Sequence, residues 1–206
     1  MRLFFVLMIS AIPLLGATPT NIVTRGMPEL SAERAAKLAP YLKVRPLRFQ
    51  DWHPTAHAML ITRRPARGQV TQLHVVNKPN GVPVALTDGA EPVRSAAYHP
   101  KDGTRILFLR DAGGSEKYQV FHLDVAAKKT TMLTDGKHRH TGARWSPDGR
   151  RIAYFSPKRN GRDNDLYTMD PLKPASEKLL AKLPGGGWRI SDWSPDGRLI
   201  LAIEYL

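Results

Sequence analysis

The chain contains no cysteine among its 206 residues, which excludes disulfides and thiol chemistry but leaves the compartment open. Acidic residues are scarce: 18 Asp and Glu stand against 31 Lys and Arg, giving a formal net charge of +13. The basic residues are scattered through polar stretches such as Arg63-Arg64, Lys128-Lys129, Lys137 to Arg139, Arg150-Arg151 and Lys158-Arg159. No aromatic-interleaved basic helix or RNA-binding signature accompanies them. The charge therefore reads as a solvated surface, and no nucleic-acid partner is expected.

Long apolar runs are missing with one exception. Arg2 precedes an apolar stretch from Leu3 to Leu15, followed by Gly16-Ala17. A basic residue, a short apolar run and a small residue are the parts of a secretory signal peptide, expected here over residues 1–17 with cleavage near Ala17. The run is shorter than the roughly 20 residues that span a bilayer, and Pro13 interrupts it, so no stable membrane span is expected. The mature chain should be exported, periplasmic or secreted.

Catalytic signatures are also lacking. None of the nine serines lies in Gly-x-Ser-x-Gly, and Gly113-Gly114-Ser115 runs on into Glu116-Lys117 as a hairpin loop. His138 and His140 flank Arg139 without a third ligand fixed by spacing, so they read as a surface loop. The stretch Arg159-Asn160-Gly161-Arg162-Asp163-Asn164-Asp165 has the Asp-x-Asp of a calcium loop but not its glutamate or length; it reads as a tight turn. Gly185-Gly186-Gly187-Trp188 lacks the lysine and the helix of a phosphate loop and reads as a crossing between blades. No catalytic, metal or cofactor residue is assigned, and no cofactor is expected.

What is present is a repeat. Trp52-His53-Pro54, Tyr98-His99-Pro100-Lys101-Asp102-Gly103, Trp145-Ser146-Pro147-Asp148-Gly149 and Trp193-Ser194-Pro195-Asp196-Gly197 place their prolines 46, 47 and 48 residues apart. In such a turn proline presets φ, aspartate bonds local amides and glycine accepts positive φ. His53 and His99 hold the position that Ser146 and Ser194 hold elsewhere, which makes them turn residues rather than general bases. An apolar strand follows each complete turn: Ile106 to Leu109, Ile152 to Phe155 and Leu199 to Ile203. Next comes an alternating strand, at Gln72 to Val75, Gln119 to Leu123 and Asp165 to Met169. Leu86-Thr87-Asp88-Gly89 recurs 47 residues later as Leu133-Thr134-Asp135-Gly136, and the expected third equivalent, Lys178-Leu179-Leu180, has lost the Thr-Asp-Gly.

A period in the forties with strands between the copies marks a β-propeller. The expected fold is all-β: a partial propeller of about three and a half TolB/WD40-like blades over residues 47–206. The blades fall near 47–90, 91–137, 138–184 and 185–206, the last one partial. Residues 18–46 form a lead-in with a short helix from Ala32 to Leu42, capped by Ser31, ended or kinked at Pro40, and buried through Ala35, Ala36, Leu38 and Leu42. An arc left open exposes apolar edges, so the isolated chain is expected to aggregate, oligomerise or fold only in part.

Several segments resemble exported members of the prolyl oligopeptidase family, serine peptidases of dipeptidyl or acylaminoacyl type. They are Asp51 to Pro54, Met59 to Thr62, Gln72 to His74, Asp111 to Glu116, Leu133 to Gly136, Trp145 to Gly149 with Ile152 to Tyr154, Arg159 to Gly161 with Asp165 to Tyr167, Gly185 to Trp188, Asp192 to Gly197 and Glu204-Tyr205. The resemblance covers residues 28–206. It implies a propeller that caps a C-terminal α/β-hydrolase domain and admits short peptides to a Ser-His-Asp site. The chain is expected to stop short of that domain, so no catalytic position carries over, and the chain alone should hydrolyse nothing. A stand-alone TolB-like propeller that binds protein partners is the alternative.

Overall fold

A computed structural model describes residues 23, 25–28, 30–42, 47–66, 69–111 and 113–205. The expected signal peptide lies outside the described residues. Two compact units are present, Met1–Val44 and Arg45–Leu206. In the first, α1 spans Ala32–Leu42. Its N-terminus is capped as expected, with the Arg34 amide 3.3 Å from Ser31 Oγ. The helix has the expected bounds and runs on past Pro40, but the expected buried stripe fails: none of its residues is buried. Proline removes one donor, but a helix of 11 residues still closes its remaining turns around it.

The second unit consists of antiparallel meanders. Strands β1 (Leu47–Trp52), β2 (Met59–Arg63), β3 (Gln72–Val76) and β4 (Val84–Ala85) form the first sheet in that order. Strands β5 (Val93–Tyr98), β6 (Arg105–Arg110), β7 (Gln119–Asp124) and β8 (Lys129–Met132) form the second. The third comprises β9 (Thr141–Trp145), β10 (Ile152–Ser156), β11 (Asp165–Asp170) and β12 (Lys173–Ala181). A two-stranded sheet of β13 (Trp188–Trp193) and β14 (Ile200–Glu204) completes the arc. The first strand of each sheet packs on the sheet before it: β5 on β1 and β2, β9 on β6, β13 on β9 and β10.

Each of the four proline turns links the first two strands of a sheet. In the third, the Gly149 amide donates to Ser146 O at 2.9 Å, Ser146 Oγ donates to Asp148 at 2.6 Å, and Gly149 takes φ +73°. The apolar strands fill both sides of their sheets because successive side chains point to opposite faces. Ile106 and Phe108 join Leu60, Leu73 and Tyr98 between the first two sheets. Leu107 and Leu109 join Trp145, Ile152 and Tyr154 between the next two. Ala153 and Phe155 meet Ile190 and Trp193 across the last interface. Among the described residues no further sheet lies beside β14, and Leu199 and Leu201 are 70% and 60% exposed.

The alternating third strands are buried on both sets of positions, because their polar residues are bonded inside the blade. Thr87 Oγ1 accepts the Leu73 amide at 3.0 Å and donates to Gln72 Oε1 at 2.7 Å. Thr134 repeats this with Val120 and Gln119 at the same two distances. Leu-Thr-Asp-Gly is thus a latch between the third strand and the crossing to the next blade. The third copy is not Lys178 to Leu180, which lie within the long strand β12. Ala181 pairs with Leu166, and the Leu183 amide bonds Asp165 Oδ1 at 2.9 Å, so the latch is displaced toward Leu183. Register shifts between β11 and β12 cause the displacement. Replacing Thr134 with valine keeps the shape but leaves the Gln119 carboxamide short of a partner. It should lower stability by about 1–3 kcal/mol in denaturant titration; an unchanged midpoint would contradict the latch.

Candidate functional site

The first strands line a concave cavity of about 570 Å³. Its charged walls are Asp51, Arg144, Arg189 and Asp192, with Gln50 and Ser95 between them. These side chains also join blade to blade. Asp51 accepts the amides of Trp52 and, across the interface, Tyr98, each at 2.9 Å, while Gln50 Oε1 accepts the Ala96 amide at 3.1 Å. Burial pushes the Asp51 carboxyl up from its ordinary value, against the pull of those amides and of Arg144. Asp192 repeats the local half of the pattern, accepting the Trp193 amide at 2.8 Å.

Aromatic residues close each first strand at the turn end. Tyr98, Trp145 and Trp193 are 5%, 8% and 8% exposed because the preceding blade covers them, whereas Trp52 is 64% exposed. For two of them the covering group is a histidine: His53 lies 4.8 Å edge-on from Tyr98, and His99 lies 5.0 Å from Trp145, whereas the Arg151 guanidinium carbon lies 5.8 Å from the Trp193 ring. The histidine rings also occupy the space above the next blade's turn glycine. A Cβ on Gly103 would fall 2.2 Å from His53 Nε2, and one on Gly149 only 2.0 Å from His99 Nε2. These histidines are turn residues, as the repeat implies, and they are also wedges between blades. Sequence reasoning missed the second role, although an imidazole replacing serine in two of four copies was a visible signal.

The other sequence candidates fall apart from the cavity. Ser115 Oγ donates to Asp111 at 3.2 Å in an exposed hairpin. Asp163 and Asp165 face Arg159, Arg162 and Asn160, and Asp163 and Asp165 also take the Gly185 and Leu183 amides at 3.1 and 2.9 Å. Gly185 and Gly186 carbonyls are held by Asn164 at 2.8 Å each, and Trp188 opens β13 itself. His138 and His140 are not a free loop: both bond Asp135, at 2.7 and 3.2 Å. Among the described residues no group of three His, Asp or Glu could hold a metal ion. Burial disfavours the Asp135 anion, yet the His138 and Lys137 amides and both imidazoles outweigh it and hold the carboxyl well below the usual range.

His140 is wholly buried, with Nε2 turned to Asp135 and Nδ1 unpartnered. Burial lowers the affinity of His140, His122 and His74 for a proton below the ordinary 6.5. The unfolded chain then takes up protons near pH 6.5 while the folded chain resists until lower pH. Stability is therefore complete above about pH 6.5 and declines as pH falls toward the folded-state values. The melting temperature should fall between pH 7.5 and 5, and less steeply for His140→Phe. An equal slope in both proteins would show that His140 does not titrate this way.

The architecture is that of a β-propeller segment. No family model matches the chain. It is similar to an uncharacterized peptidase, YuxL, of Bacillus subtilis (strain 168), with 34% identity over 113 residues, 53% of this chain and 17% of that protein. It is also similar to the Tol-Pal system protein TolB of Alcanivorax borkumensis, 28% identical over 124 residues, 55% of this chain and 27% of that protein. Among solved structures, a prolyl endopeptidase aligns with TM-score 0.59 and 16% identity over 77% of this chain and 26% of its own. TolB from Acinetobacter baumannii aligns with TM-score 0.58 and 20% identity over 78% and 38%. These structures show the shared fold, and the peptidase match bears out the resemblance to peptidase propellers. The chain spans 17% and 27% of the two relatives' lengths. Among the described residues no helix is long and apolar enough to cross a membrane.

Proposed function

We propose that this chain is a non-catalytic propeller segment of an exported prolyl-oligopeptidase-type serine peptidase. In that reading it caps a C-terminal α/β-hydrolase domain, and the cavity on its first strands is the path that admits short peptides and excludes folded proteins. The observation that carries the reading is the 34% identity to a peptidase over 113 residues of this chain. The concave wall of Asp51, Arg144, Arg189 and Asp192 supplies polar groups suited to peptide contact. The chain alone is expected to hydrolyse no peptide. The test is the coding sequence downstream of Leu206: a continuing frame with a Gly-x-Ser-x-Gly strand-turn-helix segment supports the reading. A frame that closes without one, or turnover by the purified chain, overturns it.

The match to TolB supports a second reading, a periplasmic propeller that binds protein partners. It predicts a closed frame together with a stable complex recovered from the cell envelope.

A further inference from the structure

Arginines recur by register at the end where the first strands begin. Four residues before the closing aromatic stand Arg48 in β1, Arg94 in β5 and Arg189 in β13. β9 has Thr141 there, and Arg139 is supplied from the crossing just before it. Arg94 and Arg139 share one platform, their guanidinium carbons 4.8 and 5.7 Å from the centre of the Tyr118 ring. Tyr118 is itself buried; its hydroxyl accepts Arg94 Nη1 at 2.7 Å, and its carbonyl accepts the His140 amide at 2.8 Å.

All four arginines are exposed, and among the described residues none has a carboxylate within 4.0 Å. Glu91 accepts the Gly113 amide at 2.9 Å, and Asp111 accepts Ser115 Oγ and the Glu116 amide. Three residues further along the strands, roughly 10 Å at a strand's rise per residue, lie Asp51 and Asp192. Of these arginines Arg189 lines the cavity, whose wall carries Asp51 and Asp192 and, at the same register in β9, Arg144.

We propose that this rim binds the carboxylate end of a short peptide, so that ligands with a free C-terminal carboxylate are preferred and oriented with that end at the strand-start rim. The proposal rests on reading the cavity as a peptide path. Clustered like charges on a concave surface raise the local potential, and guanidinium forks match a carboxylate's two oxygens. Arg94, fixed on Tyr118, is ordered before the ligand arrives, which reduces the entropy lost on binding.

The test is calorimetric titration of the purified chain with N-acetyl-tetraalanine and with its C-terminal amide. The acid should bind about fivefold tighter at low salt, and the difference should shrink as salt is raised. Arg94→Gln with Arg189→Gln should abolish the preference for the acid over the amide. Arg150→Gln, at a turn on the opposite end of the strands, should leave it unchanged. Equal binding of acid and amide, or a preference that survives the arginine replacements, overturns the rim as a carboxylate site and leaves the peptide path standing. Failure of both peptides to bind removes both.

Discussion

Gly149→Ala should destabilise the chain by about 2–5 kcal/mol, far more than alanine at the sequence-equivalent Gly197. Two effects combine at Gly149. Its φ of +73° is left-handed, which costs an L-residue about 1–2 kcal/mol. The new methyl would also meet the His99 ring at 2.0 Å. That ring cannot swing aside, because it is 4% exposed, sits edge-on to Trp145, and has Arg105 Nη2 3.2 Å from Nε2. Overpacking of this kind costs about 1–3 kcal/mol. Gly197 has a similar φ of +67°, but its nearest neighbour is Pro147 Cδ at 3.7 Å, an ordinary contact.

A double-mutant cycle separates the two contributions. In a His99→Ser background, which copies the residue found at Ser146 and Ser194, only the backbone cost should remain. The cost of Gly149→Ala should then fall to about that of Gly197→Ala. If it is unchanged in that background, the histidine is not a wedge and the interface between the second and third blades is held differently.

Phe155→Ala is expected to cost about 3–5 kcal/mol and to release the last sheet before the others. Phe155 is fully buried and forms, with Ala153, Leu166, Ile190 and Trp193, the core that joins β10 to β13. Truncation opens a cavity between the third blade and a sheet of only two strands. Because each sheet in such an array contacts only its neighbours, the loss should appear locally. Hydrogen exchange should accelerate at β13 and β14 while the amides of β2 and β6 stay protected. Uniform acceleration across all sheets would show that the arc unfolds as one cooperative unit.

Much of the fold was legible because propeller turns are local. Ser146-Pro147-Asp148-Gly149 encodes its own hydrogen bonds within a few residues, and Ile152 to Phe155 announces a strand covered on both sides. The latch was half legible: Thr134 and Thr87 repeated visibly, but their partners Gln119 and Gln72 lie 15 residues away. The third latch was misplaced because bulges between β11 and β12 shift a register that spacing alone cannot follow. The helix stripe of Ala35, Ala36, Leu38 and Leu42 failed for a related reason: an amphipathic pattern shows which side can be buried, not whether anything covers it.

By itself the sequence determined the repeat, the turn type, the order of strands within each sheet and hence the fold, since these depend on neighbours a few residues apart. Only the tertiary structure decided that His99 guards Gly149, that Asp51 caps the Tyr98 amide, and that Arg94 and Arg139 share the Tyr118 ring. Such contacts join residues one blade apart, and they exist only once strand register and blade packing have set which side chains meet.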